Sequence, residues 1–294
     1  MQTQHSYAND QQGKLYLVPT PIGNLEDITI RAKRILEEAD YIAAEDTRTS
    51  GIMLDRLGIH NKMVAFHKFN SKEKAPELVK LMQEGATIAE ISDAGMPVIS
   101  DPGYILVQEC IKSNVPVVPL PGPSAFATAL IASGFDGQPF TYYGFLPRKA
   151  SQQRPFLEEI NASRATSIFY EAPHRLLKTL EQMLEVLPGG RQVVCARELT
   201  KIHEEFIRGS LEEVIGAVED SLRHEFQVPF VSLILFSDNG LPVGRCVSSA
   251  EAHQAIGGLL AGADQDAGVR MKHQLPGVRG QGADQDDQVG PCRI

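Results

Sequence analysis

Between Ala196 and Glu205 the chain reads Ala-Arg-Glu-Leu-Thr-Lys-Ile-His-Glu-Glu, five charged side chains in ten residues directly after an apolar run. Carboxylates and cations at that density either handle protons and phosphates or form a solvated loop, and the residues leave both readings open. Phe169-Tyr-Glu-Ala-Pro-His-Arg175 poses a similar choice. Arg175 falls in the first turn of a helical pattern, where a cation opposes the helix dipole by about 0.3–1 kcal/mol. It therefore calls for an anionic partner, either Glu171 or an RNA phosphate. A third charged group, Glu45-Asp46 before Thr47-Arg48, reads by itself as a helix cap.

Several other chemistries are missing. The eight histidines are scattered and no His/Cys/carboxylate set has metal spacing, so no metal is expected. Cys110, Cys195, Cys246 and Cys292 lie far apart without a C-x-x-C pair, which argues against a zinc site or a disulfide framework and for a reducing cytoplasm. There is no G-x-G-x-x-G after the first apolar run, no G-x-x-x-x-G-K-[ST] and no G-x-S-x-G elbow. The glycine-rich turn of the commonest adenosylmethionine-dependent methyltransferases is missing too.

The elements that must position these groups alternate from Lys14 onward, short β-branched runs with helical patterns, as in an α/β protein with a largely parallel sheet. Leu15–Val18, Tyr41–Ala44, Met63–Phe66, Thr87–Ile91 and Pro116–Val118 read as the strands of a first lobe, residues 14–138. Phe140–Tyr143, Ser167–Tyr170, Gln192–Cys195 and Phe230–Phe236 read as those of a second, residues 139–238. Leu176, Leu177, Leu180, Met183, Leu184 and Leu187 form a helical stripe closed by Pro188-Gly-Gly190, which is core. Ligands in open α/β sheets bind beyond the carboxyl ends of strands. Three loops there are rich in Gly, Pro and small polar residues: Pro19–Asn24, Ser92–Gly103 with Pro102 at the first helical position, and Pro119–Ala125. Each alone is ordinary turn chemistry; three on one sheet edge argue for a site.

The 294 residues carry a net charge of −9, which speaks against nucleic acid until it is divided by segment. Residues 146–210 hold 10 basic and 8 acidic side chains, and are the only basic stretch. No apolar run approaches the roughly 20 residues a bilayer needs, and the polar N-terminus, residues 1–13, reads as flexible and unlike a secretion signal. All 19 aromatic residues lie at or before Phe236, whereas residues 239–294 hold 10 of the 25 glycines. That tail reads as disordered or as a gene read in a shifted frame; an intact frame with this tail in close relatives would sink the second idea.

Taken in order, Pro19-Thr-Pro-Ile-Gly-Asn-Leu25, Ala44-Glu-Asp-Thr-Arg48, Ser92-Asp-Ala-Gly95 with Ser100-Asp-Pro-Gly103, Pro121-Gly-Pro-Ser-Ala125, Gly144-Phe-Leu-Pro147, Phe169–Arg175 and Ala196–Lys201 closely resemble the ribosomal small-subunit RNA methyltransferase I family. These are cytidine-2′-O-methyltransferases of the tetrapyrrole methylase superfamily. The resemblance implies two α/β lobes of the tetrapyrrole methylase type with S-adenosylmethionine in the cleft between them, in a homodimer. Asp93, Ala94, Gly95 and Pro97 are then expected along the cofactor's amino-acid and ribose end, flanked by Ser124 and Ala125, with Tyr170 and Ala196 closing the adenosine pocket. Gly95 and Gly122 fit a backbone that must approach a ligand with no Cβ in the way.

The implied substrate is a cytidine ribose in the decoding region of 16S rRNA within the small ribosomal subunit, whose 2′-hydroxyl marks RNA rather than DNA. Glu198, neutral Lys201 and Asp46 are candidate bases for its proton. Asn24 is a candidate to orient the ribose, and Arg48, Arg175 and Lys201 to hold phosphates. Two residues depart from the pattern: Met96 replaces a small polar residue beside the cofactor loop, and Glu90 lies within an expected buried strand. Two alternatives stay open, a methyltransferase acting on a precorrin- or uroporphyrinogen-type tetrapyrrole, and an inactive cofactor-binding, ribosome-associated module.

Overall fold

The computed structural model describes residues 3–4, 13–223 and 232–236. The expectations for the tail 239–294, and most of that for residues 1–13, concern residues outside these. Gln4 is described: its side-chain amide bonds both ways with the backbone of Val117, at 2.7 and 2.9 Å.

The first sheet is built from β1 (Leu15–Leu17), β2 (Tyr41–Ala44), β3 (Met63–Ala65), β4 (Ile88–Ile91) and β5 (Val117–Pro119), in the order β3-β2-β4-β1-β5 with every pair parallel. Its strands are short, apolar runs because helices cover both faces. Helix α1 (Ile30–Glu38) starts where Thr29 Oγ1 accepts from Ala32 N at 3.0 Å, and it buries Ala32, Ile35 and Leu36 against one face. Helices α3 (Ser71–Gln83) and α4 (Gly103–Lys112) bury Leu78, Met82, Leu106 and Cys110 against the other. Helix α2 (Thr47–Arg56) follows β2, and α4 begins one residue later than expected, with Pro102 as its cap.

The second sheet departs from the largely parallel arrangement expected. β6 (Phe140–Phe145), β7 (Thr166–Glu171), β8 (Gln192–Arg197), β9 (Glu205–Ser210) and β10 (Ser232–Phe236) run in the order β6-β7-β10-β8-β9. Only β6 and β7 pair in parallel; β10 is antiparallel to both its neighbours, and β8 to β9. The physical reason is connectivity: β8 returns directly as β9 through a short turn, which only antiparallel partners permit. The strand expected at Phe230–Phe236 is seen over Ser232–Phe236, residues 230 and 231 lying outside the described part.

Helix α6 (Ala150–Ala162) links β6 to β7, and α7 (Pro173–Leu184) ends before Leu187, which is nevertheless buried with Leu176, Leu180 and Met183. With α8 (Leu211–Arg223) these helices cover one face of the second sheet. The other face receives α5 (Ala125–Ser133), whose Ala129 and Leu130 pack on Ile168, Val194, Ala196 and Leu199. By sequence α5 falls inside the stretch 14–138, but its apolar contacts are with the second sheet. Arg208 of β9 secures it, donating to the Ala132 carbonyl at 2.6 Å at the helix C-terminus, where a cation is favoured. Among the described residues no helix is long and apolar enough to cross a membrane.

Candidate active site

Strand order explains why three loops distant in sequence converge. β4, β1 and β5 are neighbours, so their carboxyl ends deliver Pro19–Asn24, Ser92–Gly103 and Leu120–Ser124 to one edge. Thr20 and Gly95 exchange backbone hydrogen bonds of 3.0 Å, and Thr20 Oγ1 donates to the Ser92 carbonyl at 3.2 Å. The first two loops are thus fixed to each other before anything binds. The third leads into α5 and so toward the second sheet.

Between this edge and the second lobe lies a half-open pocket lined by Ile22, Ala94, Gly95, Met96, Ile99, Ser124, Ala125, Tyr170, Glu198, Leu199 and Lys201. Its cavity volume of about 160 Å³ is below the roughly 300–1,000 Å³ usual for cofactor-sized ligands, so a ligand of that size would have to extend over the rim. Lys201 Nζ donates to Glu198 Oε1 at 3.2 Å, with both side chains largely shielded from solvent. Glu198 and Thr200 have positive φ, 52° and 62°, the kind of local strain that a site imposes on the backbone. Gly23 explains how close the lobes come: a Cβ there would stand 2.5 Å from Lys201 Cγ and 2.7 Å from the Leu199 carbonyl oxygen. On the far side of the cleft, Ser100 Oγ lies 2.9 Å from Tyr142 OH. Tyr142 also meets the Tyr170 ring edge-on, 5.1 Å between centroids, and stacks on Phe126 at 4.7 Å.

The structure therefore gathers Ala94, Gly95, Ser124, Ala125, Tyr170, Glu198 and Lys201 around one space and places the other expected residues elsewhere. Pro97 is buried beside it. Ala196 is in the core beneath, packed with Leu199. Asp93 faces α2, its Oδ1 accepting from Asp46 N at 3.1 Å. Asp46 is the cap of α2, accepting from Arg48 N at 2.9 Å and pairing with the Arg48 guanidinium at 3.1 Å, while Arg48 projects into solvent. That guanidinium hydrogen bond holds Asp46 below the usual carboxylate range. Asn24 caps the 3-10 turn Leu25–Asp27 through Glu26 N. Arg175 finds Glu171, at 3.4 Å, so of its two expected partners the protein itself supplies one. Ile22, Ile99 and Leu199 were not foreseen as lining residues. Nothing in an isolated apolar loop residue marks it, beyond its presence inside a loop already singled out.

The acidic side of the edge is electrostatically crowded. Burial, then Asp93, Asp101 and Asp46, raise Glu45, and burial is also the main cause raising Asp93 and Asp101. Glu90, 3% exposed in β4, is pushed well above its ordinary value by burial and then by Asp101 and Glu45. Its Oε2 and Asp101 Oδ2 are buried without a hydrogen-bond partner among the described residues. Among those residues, no group of three or more His, Cys, Asp or Glu is placed to hold a metal.

Comparison with known proteins decides the family. The model for Tetrapyrrole (Corrin/Porphyrin) Methylases matches residues 14–215. The Ribosomal RNA small subunit methyltransferase I of Halalkalibacterium halodurans is 53% identical over 77% of this chain and 78% of its own. The chain belongs to the ribosomal RNA small subunit methyltransferase I family. The family members of Escherichia coli O157:H7, 49% identical over 74% of this chain and 76% of theirs, and of Thermotoga maritima, 48% identical over 70% and 92%, agree. Among solved structures, a uroporphyrin-III-C-methyltransferase from Thermus thermophilus shares the fold at TM-score 0.54 and 21% identity, over 77% of this chain and 94% of that one. A Thermus thermophilus uroporphyrin-III C-methyl transferase complexed with S-adenyl homocysteine does so at TM-score 0.54 and 18% identity, over 76% and 97%. A second family model, a protein of unknown function, matches residues 197–285, most of which lie outside the described part. Placed on the structure, the region matched by the tetrapyrrole methylase model ends within α8, so every residue lining the pocket falls inside it.

Proposed function

We propose that this protein transfers a methyl group from S-adenosylmethionine to the 2′-oxygen of a cytidine in the decoding region of 16S rRNA. The observation that carries this reading is the pocket where loops after β4, β1 and β5 meet Tyr170, Glu198 and Lys201. Its composition suits the cofactor: apolar Ile22, Met96, Ile99 and Leu199 for the adenosine, the Ser124 hydroxyl for a polar end, and an aromatic ring and a carboxylate near a cationic sulfur. Asp93 ties the loop that carries Ala94 and Gly95 to the start of α2, buried Pro97 follows Met96 in that loop, and Ala196 packs with Leu199 beneath the lining. When bound, the sulfonium supplies a methyl group activated for in-line displacement.

The chain's own residues then have three tasks. They hold the 2′-oxygen at attack distance, a contribution of up to about 7–11 kcal/mol. They accept the hydroxyl proton as the new O–C bond forms and the old C–S bond breaks. They neutralise the RNA backbone. For the second task Glu198 is preferred, with Lys201 fixing its orientation. Asp46 is the weaker base, because Arg48 stabilises its ionised form. Arg48, exposed at the rim, is available for phosphate, and Asn24 stands beside Gly23 where the ribose would enter. The enzyme works as a homodimer in the cytoplasm on the small ribosomal subunit.

Purified protein incubated with methyl-labelled S-adenosylmethionine and small ribosomal subunits tests this. Label recovered on a cytidine ribose is expected. Label recovered only on an added porphyrinoid, or cofactor binding without transfer to any acceptor, overturns it. Asp93→Ala, which frees the α2 cap and the loop beside the pocket, is expected to weaken cofactor binding.

A further inference from the structure

Phe145 is 48% exposed at the end of β6, and a regular strand would not have put it on the cleft side. Tyr142 aligns with Ile168 on β7, so strict alternation would bring Tyr143 to Phe169, Gly144 to Tyr170 and Phe145 to Glu171, on the face that holds the helix core. The register instead shifts between Tyr142 and Gly144, so that Gly144 aligns with Phe169 and Phe145 with Tyr170. One extra residue thus moves Phe145 to the opposite face. Gly144 makes the bulge possible, with φ 68°, where a Cβ would be strained. Tyr143 stays behind, stacked on Phe169 at 5.1 Å.

The re-aimed ring stands edge-on to Tyr170, 5.6 Å between centroids, and Tyr170 lines the pocket. Exposed Arg148 and Lys149 follow three and four residues later and make no ion pair among the described residues. Most other cations of this basic stretch are engaged: Arg154 with Glu158, Arg175 with Glu171, Arg197 with Glu205, Lys201 with Glu198, and Arg208 with the end of α5. An exposed aromatic ring at a pocket mouth, with uncommitted cations alongside, is the combination that binds an unstacked nucleotide, the ring taking the base and the cations its phosphates.

We propose that Phe145 is the stacking platform for the base of the substrate nucleotide, or of its immediate neighbour, with Arg148 and Lys149 holding the adjoining phosphates. This rests on the RNA methyltransferase reading above and adds how the substrate is gripped. Phe145 is a substrate-binding residue and takes no part in proton transfer.

The test uses the full chain with small ribosomal subunits, comparing Phe145→Leu and Phe145→Trp. Loss of the ring should raise KM for subunits at least about fivefold, while kcat at saturation, S-adenosylhomocysteine affinity and melting temperature stay near those of the parent. Phe145→Trp should restore KM. The chain contains no tryptophan, so the single indole introduced by that substitution is read as the difference from parent protein mixed with the same subunits: this difference emission should be quenched when subunits are added. An unchanged KM in Phe145→Leu, or an active Phe145→Trp whose emission ignores subunits, overturns the proposal while leaving the methyltransferase reading intact. A parent protein that labels no cytidine ribose overturns both.

Discussion

The Ser100 hydroxyl lies 2.9 Å from the Tyr142 hydroxyl, joining the loop after β4 in the first lobe to β6 in the second. Ser100 holds φ 70° there, and the Tyr142 ring in turn stands edge-on to Tyr170 of the pocket wall, 5.1 Å between centroids. A neutral hydrogen bond of this kind contributes about 0.5–1.5 kcal/mol net. Ser100→Ala and Tyr142→Phe should each weaken S-adenosylhomocysteine binding about two- to tenfold. The double variant should be little worse than either single one, because both remove the same bond. Full additivity in calorimetric titrations would show that the bond does not couple the lobes to the pocket.

Gly23→Ala should damage activity more than stability. The added methyl meets the Leu199 carbonyl and the Lys201 side chain, and the backbone oxygen cannot swing aside. Overpacking of this kind costs on the order of 1–3 kcal/mol. The segment forced to move carries Glu198 and Lys201, so kcat should fall by more than the change in melting temperature suggests. Parent-like kcat with a lowered melting temperature would show that the loop absorbs the methyl without disturbing the pair.

Glu198→Gln should keep the binding of S-adenosylhomocysteine, whose sulfur is neutral, and lower kcat about 10²–10⁴-fold, the usual contribution of a general base. Lys201→Met should do less if it only orients Glu198. The comparison is made by single-turnover methylation alongside S-adenosylhomocysteine titration. A larger loss for Lys201→Met would exchange their roles.

Glu90 predicts a pH-dependent stability. Burial first, then Asp101 and Glu45, raise its carboxyl well above the ordinary value, so the folded chain binds that proton more tightly than the unfolded one. The stabilisation is complete below the unfolded value and is lost as pH rises through the folded value. Asp101, raised chiefly by burial, adds the same sign. Glu90→Gln stays neutral, so its melting temperature relative to the parent should climb from about pH 5 to about pH 8. A difference that stays constant with pH would mean that Glu90 is not the titrating group.

Arg175→Ala should destabilise the second lobe. It leaves Glu171, 1% exposed, with its hydrogen bonds from Ala172 N at 2.8 Å and Thr179 Oγ1 at 2.7 Å but without the guanidinium. Loss of one partner from such a pair costs on the order of 1–3 kcal/mol, readable as a drop of several degrees in thermal melting. Glu171→Gln in the same chain should recover part of it. An unchanged melting temperature with a flattened salt dependence of RNA binding would instead identify Arg175 as a phosphate ligand.

Local chemistry made much of the architecture legible. β-branched runs bounded by Gly and Pro give β1 to β8 within a residue or two, and Asp46 declares a helix start because a side-chain oxygen before a helix satisfies its free N–H groups; the Thr29 cap of α1 emerged only with the structure. β9 carried no such signal. Its Glu-Phe-Ile-Arg-Gly-Ser sequence lies at a sheet edge, half exposed and without clean alternation, and pairing with β8 alone makes it a strand. Arg175 and Arg208 look alike as basic residues; contacts with Glu171 and the end of α5 are what commit them.

The sequence alone determined which loops could form a site, since glycine, proline and small polar residues at strand ends are a local requirement of tight turns near a ligand. It could not determine that β4, β1 and β5 are adjacent, because strand order depends on pairings between residues as distant as Leu17 and Glu90. Nor could it show that a single-residue slip in β6 carries Phe145 across the sheet. Periodicity fixes the face a strand residue occupies only when its register is known, and register is a property of two strands together.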